Sequence, residues 1–240
     1  MSARYHLNAD VGEGFGTDAA LIEVVTQVNV ACGFHAGDPD TMRTVCRLAL
    51  DRGVEVGAQP SYRDRENFGR VDVEIGYADL VRDLTEQLEG LQTIASSVGA
   101  TVSYLKPHGA LYNRAVRDEA QARAVVDVAH RHGLPLLTLP GSVSERLMVE
   151  CGGQVLREFF ADRAYDAAGR LVARTVAGSL VTDPTEVGER VRQLLAEGTV
   201  RTIDGGTLAI QADSICVHGD SPRAVELAAA ARAALGAALR

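Results

Sequence analysis

The sequence contains no tryptophan and only four cysteines, and 5% of its 240 residues are aromatic. None of the cysteines (Cys32, Cys46, Cys151, Cys216) forms a C-x-x-C pair, which excludes a zinc knuckle or a dithiol redox motif. No segment approaches the roughly 18 uninterrupted apolar residues of a membrane span, so no membrane association is expected. The opening residues, Met1-Ser2-Ala3-Arg4-Tyr5-His6, lack the apolar centre of a secretion signal. Scattered thiols without such a signal predict a reduced, cytoplasmic setting. Basic residues never gather into a run, and the formal net charge is -8, so nucleic acid is not an expected partner. G-x-x-x-x-G-K-[ST] occurs nowhere, and the run Gly12-Glu13-Gly14-Phe15-Gly16 is spaced G-x-G-x-G rather than G-x-G-x-x-G. The chain therefore carries neither a P-loop nor a dinucleotide fingerprint.

What the chain does have is the composition of a soluble globular protein, 46% hydrophobic and 23% charged. Its length suits one α/β barrel of about 200–250 residues. Strand-length apolar stretches at 5–8, 28–31, 54–58, 101–105, 134–139, 155–160 and 214–217 alternate with helix-period stretches at 18–27, 38–52, 77–98, 118–132, 142–151, 183–197 and 221–239. Asp38-Pro39, Asp183-Pro184 and Ser221-Pro222 each read as a cap followed by a first-turn proline. Residues 163–180 and 199–213 read as irregular, hairpin-like excursions. Seven strand–helix units without a linker predict a parallel sheet closed into a single-domain, seven-stranded β/α barrel spanning residues 1–240.

Chemistry-bearing residues cluster in glycine-bracketed cassettes directly after strands: Asn8-Ala9-Asp10-Val11-Gly12-Glu13-Gly14, Cys32-Gly33-Phe34-His35-Ala36-Gly37-Asp38, Lys106-Pro107-His108-Gly109 and Cys216-Val217-His218-Gly219-Asp220. A polar side chain at the carboxyl end of a strand, followed by a sharp turn, is how β/α barrels build an active-site rim. The period of two puts His6, Asn8 and Asp10 on one face, as it does Tyr104, Lys106 and His108; Cys216 and His218; and Glu158, Phe160 and Asp162. In a barrel these faces turn inward, and their last members line the mouth. His35, His108 and His218 are candidate acid–base groups or metal ligands, and Asp10 a water-activating or metal-binding carboxylate. A glycine-flanked histidine can equally serve only its own loop, and Asp10 or Glu13 can be a helix cap. Lys106 facing inward needs a partner, with Glu158 or Asp162 available, or a catalytic task. Cys32 and Cys216 permit a thiol nucleophile or a small apolar filler.

Taken together, these strings resemble the LamB/YcsF family, which supplies the A subunit of the bacterial ATP-dependent 5-oxoprolinase. Further matching strings are Asp64-Arg65-Glu66-Asn67-Phe68-Gly69-Arg70, Lys106 to Asn113, and Phe160-Ala161-Asp162-Arg163-Ala164-Tyr165, so the resemblance runs from the first strand to the last. It implies a distorted barrel of the polysaccharide-deacetylase type. It also implies cleavage of 5-oxoproline to L-glutamate coupled to ATP hydrolysis, in company with partner subunits B and C; a homo-oligomer is compatible with it.

On this reading Asp10, His35, Lys106, His108 and His218 are the catalytic candidates. Asn8, Glu13, Ser61, Arg65, Glu158 and Arg163 are the substrate-binding ones, Arg65 or Arg163 being suited to a carboxylate. A divalent metal, if held, would draw on Asp10, His35 and His108. Two positions depart from the family pattern: Gln59 replaces a usual histidine and His6 a usual aspartate. An amide is a far poorer transition-metal ligand than imidazole. The alternatives are an ATP-independent, metal-dependent deacetylase or amidase on a small or carbohydrate-like substrate, and a non-catalytic module that binds the substrate for a partner.

Overall fold

In the computed structural model of this chain, which describes residues 5–221 and 223–240, the first and last barrel strands are hydrogen-bonded neighbours. The readings of residues 1–4 and of Pro222 lie outside the described residues. The chain runs β1 (His6–Val11), α1 (Asp18–Ile22), β2 (Gln27–Ala31), α2 (Pro39–Arg52), β3 (Glu55–Gln59) and α3 (Tyr77–Ser97). It continues through β4 (Val102–Leu105), α4 (Gly109–Ala115), α5 (Glu119–Arg131), β5 (Leu136–Thr138), α6 (Val143–Glu150) and β6 (Val155–Phe160). After α7 (Pro184–Glu197) come a hairpin, β7 (Thr199–Arg201) with β8 (Thr207–Ala209), then β9 (Ser214–Val217) and α8 (Ala224–Leu235). Strands β1 to β6 and β9 close into a parallel barrel in that order.

All seven expected barrel strands are present, and the expected excursions form the β7–β8 hairpin and the bridges Arg163–Leu180 and Tyr165–Leu171. Asp38 caps α2 through Oδ1, which accepts from the Asp40 and Thr41 amides. Two helices end earlier than their periodicity predicts. Helix α1 stops at Ile22 because the Thr26 amide turns to the Leu7 carbonyl (2.8 Å) and Gln27 joins the sheet. Helix α8 gives way to a short 3₁₀ turn at Gly236–Ala238. The sequence reading missed α4, which begins on Gly109.

Alternation along β1 sorts its side chains cleanly. Leu7, Ala9 and Val11 are fully buried in the layer between barrel and helices, where burial supplies most of the stabilisation. His6, Asn8 and Asp10 point into the barrel, as expected. That interior is not apolar. Ser214 Oγ donates to Gln27 Oε1 (3.0 Å), Asn8 Nδ2 to Ser214 Oγ (2.8 Å), and Asn29 Nδ2 to both Asn8 Oδ1 and Asp10 Oδ1 (2.8 Å each). Tyr104 closes the column from the side, its hydroxyl contacting Asn29 Oδ1 (2.8 Å) and the Val28 carbonyl (3.0 Å). The polar groups of this column are tolerated because each finds a partner. Gly57 makes room for the phenol: a Cβ there would sit 2.2 Å from Tyr104 Cε2.

Candidate functional site

At the carboxyl ends of the strands the barrel opens into a cavity of about 1090 Å³. Asp10, Gln59, Lys106, His108 and His218 line its floor, and Arg163, Arg174 and Val176 of the 163–180 excursion form a wall. Side chains from β1, β3, β4, β6 and β9 thus converge on one place, as the cassettes predict.

Lys106 is the hub of the floor. Its Nζ donates to Asp10 Oδ1 (3.0 Å) and Cys216 Sγ (3.2 Å). It also lies 2.9 Å from Glu158 Oε1, an ionic contact without hydrogen-bond angles. Burial would depress its pKa, but Asp10, Cys216 and Glu158 together hold it well above the usual lysine value. Burial likewise pushes Asp10 up, and Lys106 more than reverses this, so the carboxylate stays ionised far below the ordinary range. Glu158 is therefore the partner expected for Lys106, while Asp162 is occupied elsewhere. Burial lifts the Cys216 thiol well above its normal pKa and that of Cys32 to about 12. Both remain thiols at neutral pH, so neither suits a nucleophile.

His218 sits opposite. Its Nδ1 is 3.0 Å from each oxygen of Asp162, and Asp162 Oδ2 also accepts the His218 backbone amide at 2.8 Å. Burial favours the neutral acid, yet His218 holds the Asp162 carboxyl below its usual pKa. An ionised carboxylate only accepts, so Nδ1 carries the proton and Nε2 is left with a lone pair. The ring lies against Phe160, centroids 5.3 Å apart and 19° from parallel. A base oriented by a buried carboxylate is a general catalytic device.

The arginines divide by task. Arg65 does not line the cavity: its Nη1 donates to the carbonyls of Gly33 and Gly37 (2.9 Å each), clamping the loop that carries His35. Arg163 is the cavity-lining one. It donates through Nη2 to the Val172 carbonyl (2.6 Å), but its buried Nε has no hydrogen-bond partner among the described residues. Arg70 and Arg174 both reach Asp220 Oδ2, at 2.6 and 3.1 Å, and line the same cavity.

Other expected contacts lie elsewhere. Asn8 and Glu158 are buried within the barrel below the cavity, and Ser61 is behind His35, 3.0 Å from its Nδ1. None of the three is among the cavity-lining residues. His6 is at the opposite end, near Thr26 and Arg240. His35 and His108 come together with Glu13 rather than with Asp10: the carboxylate Oε1 is 3.5 Å from His35 Nε2 and 3.4 Å from His108 Nδ1. Gln59, fully buried at the cavity floor, has neither amide atom hydrogen-bonded among the described residues.

Sequence comparison matches residues 5–239 to the LamB/YcsF family. This chain belongs to that family. The A subunit of a 5-oxoprolinase from Streptomyces coelicolor is 51% identical over 236 residues, covering 95% of this chain and 94% of the relative. Its counterpart from Paracidovorax citrulli is 49% identical, covering 98% and 97%. Among solved structures, a lactam utilization protein from Thermus thermophilus superposes with a TM-score of 0.90 at 38% identity, covering 97% of this chain and 96% of that one. A family 4 carbohydrate esterase from Streptomyces lividans superposes with a TM-score of 0.50 at 10% identity, covering 97% and 88%, a likeness of fold alone. The expected deacetylase-like barrel is thus present in a LamB/YcsF chain. Asp162, Arg70, Arg174 and Asp220 join the site although the sequence reading did not rank them as site residues. Arg70, Asp162 and Asp220 stand in the strings from Asp64 to Arg70, Phe160 to Tyr165 and Cys216 to Asp220, whereas Arg174 stands in none, and the contacts between them carry no sequence signal. Among the described residues no helix is long and apolar enough to cross a membrane.

Proposed function

We propose that this chain is the A subunit of an ATP-dependent 5-oxoprolinase, opening the lactam ring of 5-oxoproline to give L-glutamate in a cytoplasmic complex with subunits B and C. The observation that carries this reading is the juxtaposition, in one cavity, of the Asp162–His218 dyad with the buried, partly unsatisfied Arg163. A resonance-stabilised five-membered amide resists water under mild conditions. Phosphorylation of its amide oxygen makes the ring carbon electrophilic, which accounts for the ATP requirement. With no P-loop in this sequence, nucleotide handling falls to the partners and ring opening to this barrel.

In that scheme His218 Nε2 takes the proton from water as it attacks the ring carbon, and Asp162 keeps the imidazole in the required tautomer. The C–N bond of the ring then breaks as the departing nitrogen takes the proton back from His218, and a second water cleaves the acyl phosphate so formed, releasing inorganic phosphate and L-glutamate. The Lys106 ammonium, fixed between Asp10 and Glu158, supplies positive potential as charge gathers on oxygen. Arg163 receives the substrate carboxylate through Nε. The cavity exceeds what so small a ring fills, which leaves space for a phosphoryl group beside Arg70 and Arg174.

The test is reconstitution with subunits B and C, following glutamate and ADP formation that depends on 5-oxoproline. Wild type is expected to release both together and His218→Ala neither at a comparable rate. Glutamate formation without ATP, or unchanged turnover without this chain, would overturn the reading.

A further inference from the structure

Beside the cavity, a carboxylate and two imidazoles bring three groups able to accept together. Glu13 follows β1, His35 follows β2 and His108 follows β4. Glu13 Oε1, His35 Nε2 and His108 Nδ1 all lie within 4.8 Å of one another, on side chains 5% exposed or less. Hydrogen-bond partners on the far side of each ring fix the tautomers. Ser61 Oγ donates its own proton to the Tyr62 carbonyl (2.9 Å), so the His35 Nδ1–H must be the donor in the 3.0 Å contact with Ser61 Oγ. The Phe68 carbonyl, which can only accept, takes a hydrogen bond from His108 Nε2 at 3.0 Å. Each neutral ring therefore keeps its lone pair on the nitrogen nearer the same carboxylate oxygen, 3.5 Å away for His35 and 3.4 Å for His108. Neither Glu13 Oε1 nor His35 Nε2 has a hydrogen-bond partner among the described residues. Buried acceptors left facing one another are costly unless a positive charge joins them.

The backbone around the cluster is shaped to the same end. Phe68 is the one non-glycine residue with positive φ among those described (58°), a conformation costing roughly 1–2 kcal/mol. It delivers its carbonyl to His108 and its ring edge-on to both imidazoles, at 5.5 and 5.3 Å. Gly69 follows at φ 66°, where a Cβ would lie 2.9 Å from His35 Cβ and 3.1 Å from His108 Cδ2. Such strain is characteristic of ligand clamps.

We propose that Glu13, His35 and His108 bind one divalent transition-metal ion, of the zinc, manganese or cobalt kind, with Ser61 and the Phe68 carbonyl as positioning groups. One carboxylate oxygen and two imidazole nitrogens suit such ions, and an outer hydrogen bond on each ring is the usual accompaniment of ligation. Ligands about 2.0–2.1 Å from a tetrahedral ion are roughly 3.3–3.4 Å apart, and Glu13 Oε1 stands 3.5 and 3.4 Å from the two nitrogens. A proton on Glu13 is the competing charge, but it serves one lone pair at a time, whereas an ion serves both. The rings stack here, centroids 3.8 Å apart and 4° from parallel. Because each lone pair lies in its own ring plane, an ion shared by both draws the rings out of that stack. Asp10 is outside this cluster, which comprises Glu13, His35 and His108, and its Oδ1 is taken by Lys106 and Asn29. The inference stands on these donors and does not rest on the lactam reading.

The experiment is metal binding by the full chain. Protein stripped with a chelator is dialysed against Zn²⁺, Mn²⁺ or Co²⁺, its metal content is measured by mass spectrometry, and Co²⁺ titration is followed by visible absorption. About one ion per chain is expected in the wild type, with a rise in melting temperature that excess chelator reverses. Glu13→Gln and His108→Asn are expected to lose stoichiometric binding, and Ser61→Ala to weaken it by about 10- to 100-fold. Unchanged binding in both ligand variants would overturn the site. So would a wild-type chain that takes up no ion and melts identically with and without metal, which would leave the shared proton as the occupant. Should a variant fail to fold, the chelator-reversible melting shift of the wild type decides alone. ATP-dependent glutamate release is read after subunits B and C are added to the same preparations: one ion bound without that activity removes the lactam reading and leaves the metal site standing.

Discussion

His218 and Asp162 form a dyad across the neighbouring strand ends of β6 and β9, with both carboxylate oxygens 3.0 Å from Nδ1 and the backbone amide of His218 held as well. Ring and main chain are thus tied to one acid, which leaves only Nε2 for chemistry. Removing the imidazole in His218→Ala should lower kcat by about 10²- to 10⁴-fold. Asp162→Asn should also lower kcat, since an amide can donate to Nδ1 and move the ring proton to Nε2. Steady-state kinetics of the reconstituted complex checks both; a change confined to KM would argue against a base at this position.

Arg163 lines the cavity, and its buried Nε has no hydrogen-bond partner among the described residues. A charge-assisted hydrogen bond contributes about 1.5–3 kcal/mol, so Arg163→Ala should raise KM for the anionic substrate by roughly 10- to 100-fold while changing kcat less.

Lys106 is the cation shared by two buried carboxylates, Asp10 and Glu158. Lys106→Met would leave both charges in the barrel without their cation. Breaking a buried pair in this way costs about 3–5 kcal/mol, which chemical denaturation should register as a lower midpoint with an unchanged slope.

The acid limb of stability has a calculable sign. Asp10, Asp162 and Asp220 all have folded pKa values below their ordinary ones. For Asp220, burial acts upward and is outweighed by His218, Arg174 and Arg70. Groups of this kind contribute stability that is present above the unfolded value near 3.9 and is lost as pH falls through the folded values. Melting temperature should therefore drop steeply below about pH 4, and Asp220→Asn should flatten that limb while lowering stability at neutral pH.

Gly57 is where the barrel interior admits the Tyr104 ring, whose nearest atom lies 2.2 Å from the place a Cβ would take. Gly57→Ala should displace that phenol from Asn29 and Val28 and cost about 1–3 kcal/mol. The double variant with Tyr104→Ala should recover part of the loss, a coupling that a double-mutant cycle measures.

Much of this was legible in the sequence, for reasons that are local. A period of two sorted β1 into Asn8 and Asp10 inside and Leu7, Ala9 and Val11 outside, and glycine cassettes marked the ends of β1, β2, β4 and β9. What escaped depends on contacts between distant segments. Asp162 and His218 are separated by 56 residues and meet only because β6 and β9 are neighbours. Choosing Arg163 over Arg65 required knowing which loop walls the cavity. Asp10 and Glu13 are three residues apart, yet one ends inside the barrel on Lys106 and the other on the loop beside two histidines. Helix α4 was hidden because Gly109, at φ 60°, reads as a stop. It is glycine because a Cβ there would lie 2.4 Å from the Gly69 carbonyl oxygen. The neutral Gln59 stood out as a departure, and neither of its amide atoms has a well-formed hydrogen bond among the described residues.

The adjacency of β1 and β9 has a consequence for biosynthesis. Until Ser214–Val217 leaves the ribosome, β1 and β6 each present a free edge, and the dyad has no imidazole. Ring closure and completion of the catalytic floor are thus one late event, and truncation a few residues short of the end of β9 removes both at a stroke. Such a fragment would carry two sticky strand edges, the usual route to aggregation rather than to a weaker enzyme.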